Sequence, residues 1–337
     1  MSWYRSNIQI LVSISIGVCV WMDLFSPAQA QIALPEGYPH QCQLTNQEVF
    51  IALRGGIETL VLEAKYVFQS KKDTYGRPLV PEAEDFVPDP PASMGWVVPV
   101  PSDASSAEVV SENLMQDLYD LTHPSTKEKY RLRTGRPQGI TRFGGSIFTG
   151  GSDGEEGALK WKMFLTPETA IEETVAYLSE GGLKLPEGVL LEDYAKAGMG
   201  FAVGILENPA IGGVLGPFTA QFRSDRAVFP LRFQSHAGPF ALSIYALSDK
   251  VLDHRALSKW NLRGNNAWEN LHREAWFRGY TALADIPLPE SLSAFVRSLG
   301  VEENSGDFSF YAWEGKDYNS YGRTTEKFKE DFSILVR

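Results

Sequence analysis

Five histidines and one G-x-S-x-G stretch are where chemistry would first be sought in this chain. Gly150-Gly151-Ser152-Asp153-Gly154 has the spacing of the serine-hydrolase elbow, which lifts its serine on a strained strand-to-helix turn. Here the motif lies in a glycine-rich acidic run, RFGGSIFTGGSDGEEG, with no helical pattern directly after it. A loop is therefore expected, not a nucleophile. Asp153, Glu155 and Glu156 would suit weak calcium binding, but the EF-hand spacing is missing. His40, His123, His236, His254 and His272 form no H-E-x-x-H pattern, and there is no C-x-x-C. No metal and no other cofactor is predicted. His40 and Cys42 are two residues apart and would make a thiolate–imidazole pair if they met. A buried, inert thiol is the expectation, because a lone cysteine packs as a small hydrophobe. His272, beside Arg273 and Glu274, reads as surface or packing. The run Gly198 to Gly204 is spaced G-x-G-x-x-x-G and precedes a strand, which excludes a dinucleotide fingerprint.

The densest charge is basic. KEKYRLRTGRPQGITR holds Lys127, Lys129, Arg131, Arg133, Arg136 and Arg142, and the first four alternate as they would on one face of an extended strand. Such charge protects an edge strand from pairing with other chains. The same face would suit an acidic glycan, a lipid headgroup or an envelope polymer, so Lys127, Lys129, Arg131 and Arg133 are the candidate binding residues. The whole chain is acidic, with a net charge of −11, and clustered phosphate-neutralising cations are otherwise lacking. Nucleic acid is not an expected partner.

The first thirty residues are a different material. One cation, Arg5, precedes the uncharged apolar run Ile8 to Met22; Pro27 follows, and Ala28-Gln29-Ala30 has the small-x-small pattern of a cleavage site. This reads as a secretory signal peptide over residues 1–30, cut after Ala30. Its apolar run is short of the roughly twenty residues that span a bilayer, and no anchor is expected in the mature chain. Cleavage removes Cys19 and leaves Cys42 alone, so stability must come from packing and not from an intramolecular disulfide. With 43% apolar and 22% charged residues, a sizeable core is possible.

The positioning elements follow from local pattern. Gly55-Gly56 divides two β-rich runs into a hairpin, with Leu60, Leu62, Ala64, Tyr66 and Phe68 on one face of the second strand. GWVVPVP poses a conflict, since proline cannot donate to a ladder. A short buried strand over Trp96 to Val98 is predicted, with Pro99-Val100-Pro101 leaving the sheet. A helix from Ser111 shows Leu114, Leu118 and Leu121 on one face, and another opens at Thr166-Pro167 with Ile171, Val175 and Leu178 as its stripe. A shorter helix ends at Gly198, and GFAVGIL reads as a strand. AVFPLRF and FALSIYAL are predicted to be a pair of strands. Helices are expected over Asn265 to Tyr280 and Pro289 to Leu299, then final strands in DFSFYAW and DFSILV. Clustered strands without βαβ alternation predict an α+β fold with largely antiparallel sheet and interspersed amphipathic helices. Two lobes are expected, a β-rich one over 31–141 and an α+β one over 158–337. The Gly-rich acidic loop 142–157 would join them, and the two would pack as one unit.

Several segments together resemble an exported bacterial family known only as domain of unknown function 2330. They are GGIETLVLEAKY, then GWVVPVPSDASSAEVVSENLMQDLYDLTHP, then YLSEGGLKLPEGVLLEDYAKAGMGFAVGIL and VFPLRFQSHAGPFALSIYALS. Together they span most of residues 45 to 250, and FKEDFSIL is similar to the family's end. The resemblance implies an exported protein on a shared scaffold and brings no catalytic residues with it. The expected function is that of a non-catalytic binding or scaffold protein of the bacterial envelope. Its partner would be an anionic envelope component or a surface protein, and its location periplasmic, cell-surface or extracellular. The alternative is an extracytoplasmic hydrolase whose residues are scattered in sequence.

Overall fold

Positive φ angles at Gly55 and Gly56, +58° and +79°, turn the chain back on itself and start the longest pairing among the described residues. The computed structural model describes residues 32–70, 88–107, 113–123, 159–186, 189–234, 241–253, 257, 262–264, 280–302, 306–315 and 331–335. In chain order come β1 (Ile32–Pro35), β2 (His40–Arg54), β3 (Ile57–Ser70), β4 (Ser93–Pro101), β5 (Ser105–Ser106) and helix α1 (Leu114–Thr122). Then follow β6 (Lys160–Phe164), α2 (Pro167–Glu180), β7 (Leu183–Lys184), α3 (Leu191–Lys196), β8 (Met199–Glu207), β9 (Gly212–Arg223) and β10 (Arg226–Phe229). The chain continues with β11 (Ala241–Ser248), β12 (Arg263–Gly264), β13 (Thr281–Ala282), α4 (Glu290–Ser298), β14 (Ser309–Gly315) and β15 (Phe332–Leu335).

The strands form a larger sheet in the order β12-β14-β11-β2-β3-β9-β5, with β13 beside β14, and a smaller one in the order β6-β8-β4-β1-β7. β10 and β15 make a separate pair. Among the described residues all pairings are antiparallel except β11 with β2. The fold is α+β, as the clustering of strands predicts. Both sheets draw strands from before and after residues 142–157.

Four layers result. The two sheets face each other across a core that joins Leu60, Leu62, Tyr66 and Phe68 of β3 to Met94, Trp96, Val98 and Val100 of β4. On the far side of the larger sheet, α1 and α4 cover Phe50, Val61, Tyr245 and Phe310. On the far side of the smaller sheet, α2 and α3 cover Ala33, Val97, Phe201 and Val203. Trp96 is 2% exposed and meets the Trp161 ring at 5.5 Å. Truncating such a side chain to alanine costs about 3–5 kcal/mol.

β4 corrects one expectation. It runs on through Pro99 to Pro101, paired with Phe201 and Met199 of β8. β1 pairs with β4 only at Gly95 and Trp96. Alternate residues of a strand direct their N–H groups to opposite neighbours, so Val98 and Val100 serve β8 while the imino nitrogens turn to the side that β1 has left. Gly95 is required by close packing: a Cβ there would stand 2.7 Å from Cδ2 of Leu178 in α2.

Two further expectations change. AVFPLRF and FALSIYAL do not pair with each other: β10 pairs with β15, residues Leu231–Gln234 form a 3-10 turn, and β11 lies between β14 and β2. The proline at 230 ends the strand before the PLR segment. In α2 the buried residues are Ala170, Thr174 and Leu178, and Val175 is left 46% exposed. Among the described residues no helix is long and apolar enough to cross a membrane.

Candidate functional site

The hairpin register places Glu48 of β2 directly opposite Glu63 of β3. Ser243 of β11 pairs with Glu48 on one side and with Glu314 of β14 on the other. Four neighbouring strands thus carry a polar row across the face that α1 covers, beside Phe50 and Tyr245. Asn46 donates to Glu48 at 2.8 Å, and the Lys65 ammonium lies 3.7 Å from the same carboxylate. From the C-terminal end of α1, His123 reaches the row: its Nε2 contacts Oε1 of Glu314, and its Nδ1 lies 3.0 Å from the Tyr119 carbonyl. The Tyr119 ring stacks on the imidazole with centroids 4.0 Å apart. An imidazole at a helix C-terminus sits at the negative end of the helix dipole.

Two carboxylates facing each other in a half-dry layer cannot both ionise cheaply. Burial raises Glu48, against the pull of Lys65, Asn46 and His123. Glu63 is raised from its ordinary 4.5 to about 7, first by burial and then by Glu48, with Lys65 opposing. A carboxyl that keeps its proton near neutrality beside a second carboxylate is the charge pattern of acid–base pairs. Through His123 and Glu314 the row also ties the end of α1 to β14, which is a structural task.

A second polar region lies in the open. Leu53, Gly56, Arg223, Ser224, Arg226 and Lys250 border a cleft of about 930 Å³, completed by Asp225, Val228, Asp249 and Leu335. The turn at Gly55-Gly56, the β9–β10 connection and the end of β11 build it. Arg226 holds Asp225 at two points, 2.8 and 3.2 Å, and Asp249 accepts from the Gly55 N–H at 2.8 Å. Arg223 and Lys250 have no acidic side chain within ion-pair distance among the described residues; the Arg223 backbone N–H donates to Asp103. Behind the cleft, Glu58 is fully buried and accepts from the Val228 N–H at 3.1 Å. Burial pushes its carboxyl well above the usual carboxylate range.

A third cluster is a clasp. Tyr194 of α3 donates to Asp331, which also accepts from the Arg232 N–H at 2.9 Å, while the Phe233 N–H donates to the Tyr194 oxygen at 2.9 Å. Helix, 3-10 turn and the start of β15 are locked together by one phenol.

Lys127, Lys129, Arg131 and Arg133 lie outside the described residues, as do the Gly150–Gly154 motif, the acidic run after it, His236, His254 and His272. Cys42 is 1% exposed in the core between the sheets, and burial pushes its thiol far up. The burial is the one expected. His40 packs edge-on against Tyr38 at 5.6 Å. No group of three His, Cys, Asp or Glu side chains among the described residues is arranged to hold a metal. The Glu48–Glu63 pair has a signal in the sequence: both residues are equidistant from the Gly55-Gly56 turn, so hairpin register alone brings them face to face. Nothing local points to Glu314, which meets His123 across 191 residues.

Fold and sites together define a layered α+β protein with a buried polar row and an open charged cleft. The chain belongs to the family described as uncharacterized protein conserved in bacteria, domain of unknown function 2330, whose model matches residues 84–303. A comparison with curated proteins finds no match. Among solved structures the chain is similar to the crystal structure of baculovirus P35, with 8% identity and a TM-score of 0.35 over 68% of this chain and 72% of that one.

Proposed function

We propose that the protein is exported through a signal peptide cleaved after Ala30 and serves as a non-catalytic binding or scaffold protein of the bacterial envelope. Its partner is an anionic envelope component or a surface protein. The observation that carries this reading is the open cleft, which offers Arg223 and Lys250 without acidic partners among the described residues, on a chain whose net charge is −11. Cations left unpaired on an acidic protein favour a local anionic contact. The basic segment Lys127 to Arg133 supplies a second contact of the same sign.

The exported protein, purified and incubated with its native envelope, is expected to be retained, and its N-terminus to begin at Gln31. Changing Lys127, Lys129, Arg131 and Arg133 together to Ser is expected to weaken retention while leaving the fold intact. A chain that keeps Met1, or that passes through envelope material unretained, would overturn the proposal. The second reading, an extracytoplasmic hydrolase, is favoured by the opposed Glu48 and Glu63. It requires hydrolysis of an envelope polymer that is lost in Glu63→Gln and in Glu48→Gln.

A further inference from the structure

We infer that the cleft beside Gly55-Gly56 binds an amphiphilic anion, a phosphate-bearing lipid headgroup at a membrane surface, and this rests on the envelope-binding reading above. Charge gives the first half of the argument. Of the charged groups lining the cleft, Asp225 is taken by Arg226 and Asp249 faces the Gly55 N–H. Arg223 and Lys250 remain to meet a ligand's anion, one as a planar fork and the other as a mobile point charge.

The apolar border gives the second half. Ile57, 42% exposed, is registered against Arg223; Val251, 39% exposed, follows Lys250; Leu335, 57% exposed, is registered against Arg226. Leu335 lines the cleft itself, and Ile57 and Val251 adjoin the two residues that carry its available cations. A hydrophilic polyanion would neutralise Arg223 and Lys250 but leave this border wet. A neutral apolar ligand would cover the border and strip the cations of water without compensation. An anionic headgroup with the first methylenes of its acyl chains satisfies both, and an open cleft of about 930 Å³ admits it from the side. The chain's overall negative charge opposes approach to an anionic surface, so attraction must act within about 8 Å, the screening length at physiological salt.

The test is flotation of the exported protein with vesicles of phosphatidylglycerol and phosphatidylcholine in equal parts, against phosphatidylcholine alone. Binding is expected only to the anionic vesicles. In Arg223→Ser/Lys250→Ser it is expected to weaken about thirtyfold, two cations each acting like a lysine beside a membrane. Leu335→Ser is expected to weaken binding to a smaller degree and to keep the preference for phosphatidylglycerol. All three positions are on the open cleft, and an unchanged circular dichroism spectrum shows that the variants fold. Undiminished flotation of the double variant would overturn the cleft as the site. Binding of soluble dodecyl phosphate without flotation would overturn the membrane as the source. If the double variant floats like the wild type but is still retained on whole envelope, the cleft inference falls and the envelope reading stands; if the wild type is not retained, the envelope reading itself falls.

Discussion

Replacing Glu63 by Gln removes one carboxylate of the opposed pair while keeping its shape. Folding raises Glu63 from 4.5 to about 7, so the folded state binds this proton more tightly than the unfolded chain does. Below pH 4.5 both states are protonated, and the group's contribution to stability is fully present. As pH rises towards 7 the unfolded chain releases its proton first, and stability falls. Once pH exceeds the folded value, about 3 kcal/mol has been lost, at 1.36 kcal/mol for each tenfold change in proton affinity. The amide of the variant has no such dependence and relieves Glu48 of its neighbour's charge. Urea denaturation is the assay. Glu63→Gln is expected to match the wild type near pH 4.5 and to exceed it by about 2–3 kcal/mol at pH 8. Wild-type and variant curves that stay parallel across this range would refute the argument, because the carboxyl would then be titrating as if in water.

The other predictions concern packing and access. Gly200→Ala places a Cβ 2.7 Å from the Leu165 backbone, where no rotamer can give way, and is expected to cost at least about 2 kcal/mol in thermal or urea unfolding. Tyr194→Phe leaves the Phe233 N–H and Asp331 without their shared phenol and is expected to destabilise by about 1–3 kcal/mol, again read by denaturation. Cys42 is expected to resist a thiol reagent in the folded protein and to react at once in denaturant; rapid labelling of native protein would contradict its burial.

Local pattern was enough for elements whose cause is local. Two glycines with positive φ make the β2–β3 hairpin, and apolar periodicity with Pro289 and Gly300 around it marks α4. Trp96 is buried as its apolar neighbours suggest. Alternation failed as a guide in β2, because both faces of that strand are covered: Val49, Ile51 and Leu53 face the second sheet while Phe50 and Ala52 face helices. An all-apolar strand carries no period from which to read a face. The same double covering hides Glu48 in a run that looks like core.

What the amino-acid sequence determined by itself is the β2–β3 hairpin with the register that opposes Glu48 to Glu63, the helices α1, α2 and α4, and the burial of Trp96 and Cys42. Tertiary structure alone decided which strands lie beside which, and hence where Glu314 and His123 meet that pair. It also decided that Gly56, Arg223, Lys250 and Leu335, drawn from four separate stretches, gather around one cleft. The reason is physical: backbone torsion and side-chain period act over a few residues. Pairing between distant strands is selected by the burial of whole faces, which no short window contains.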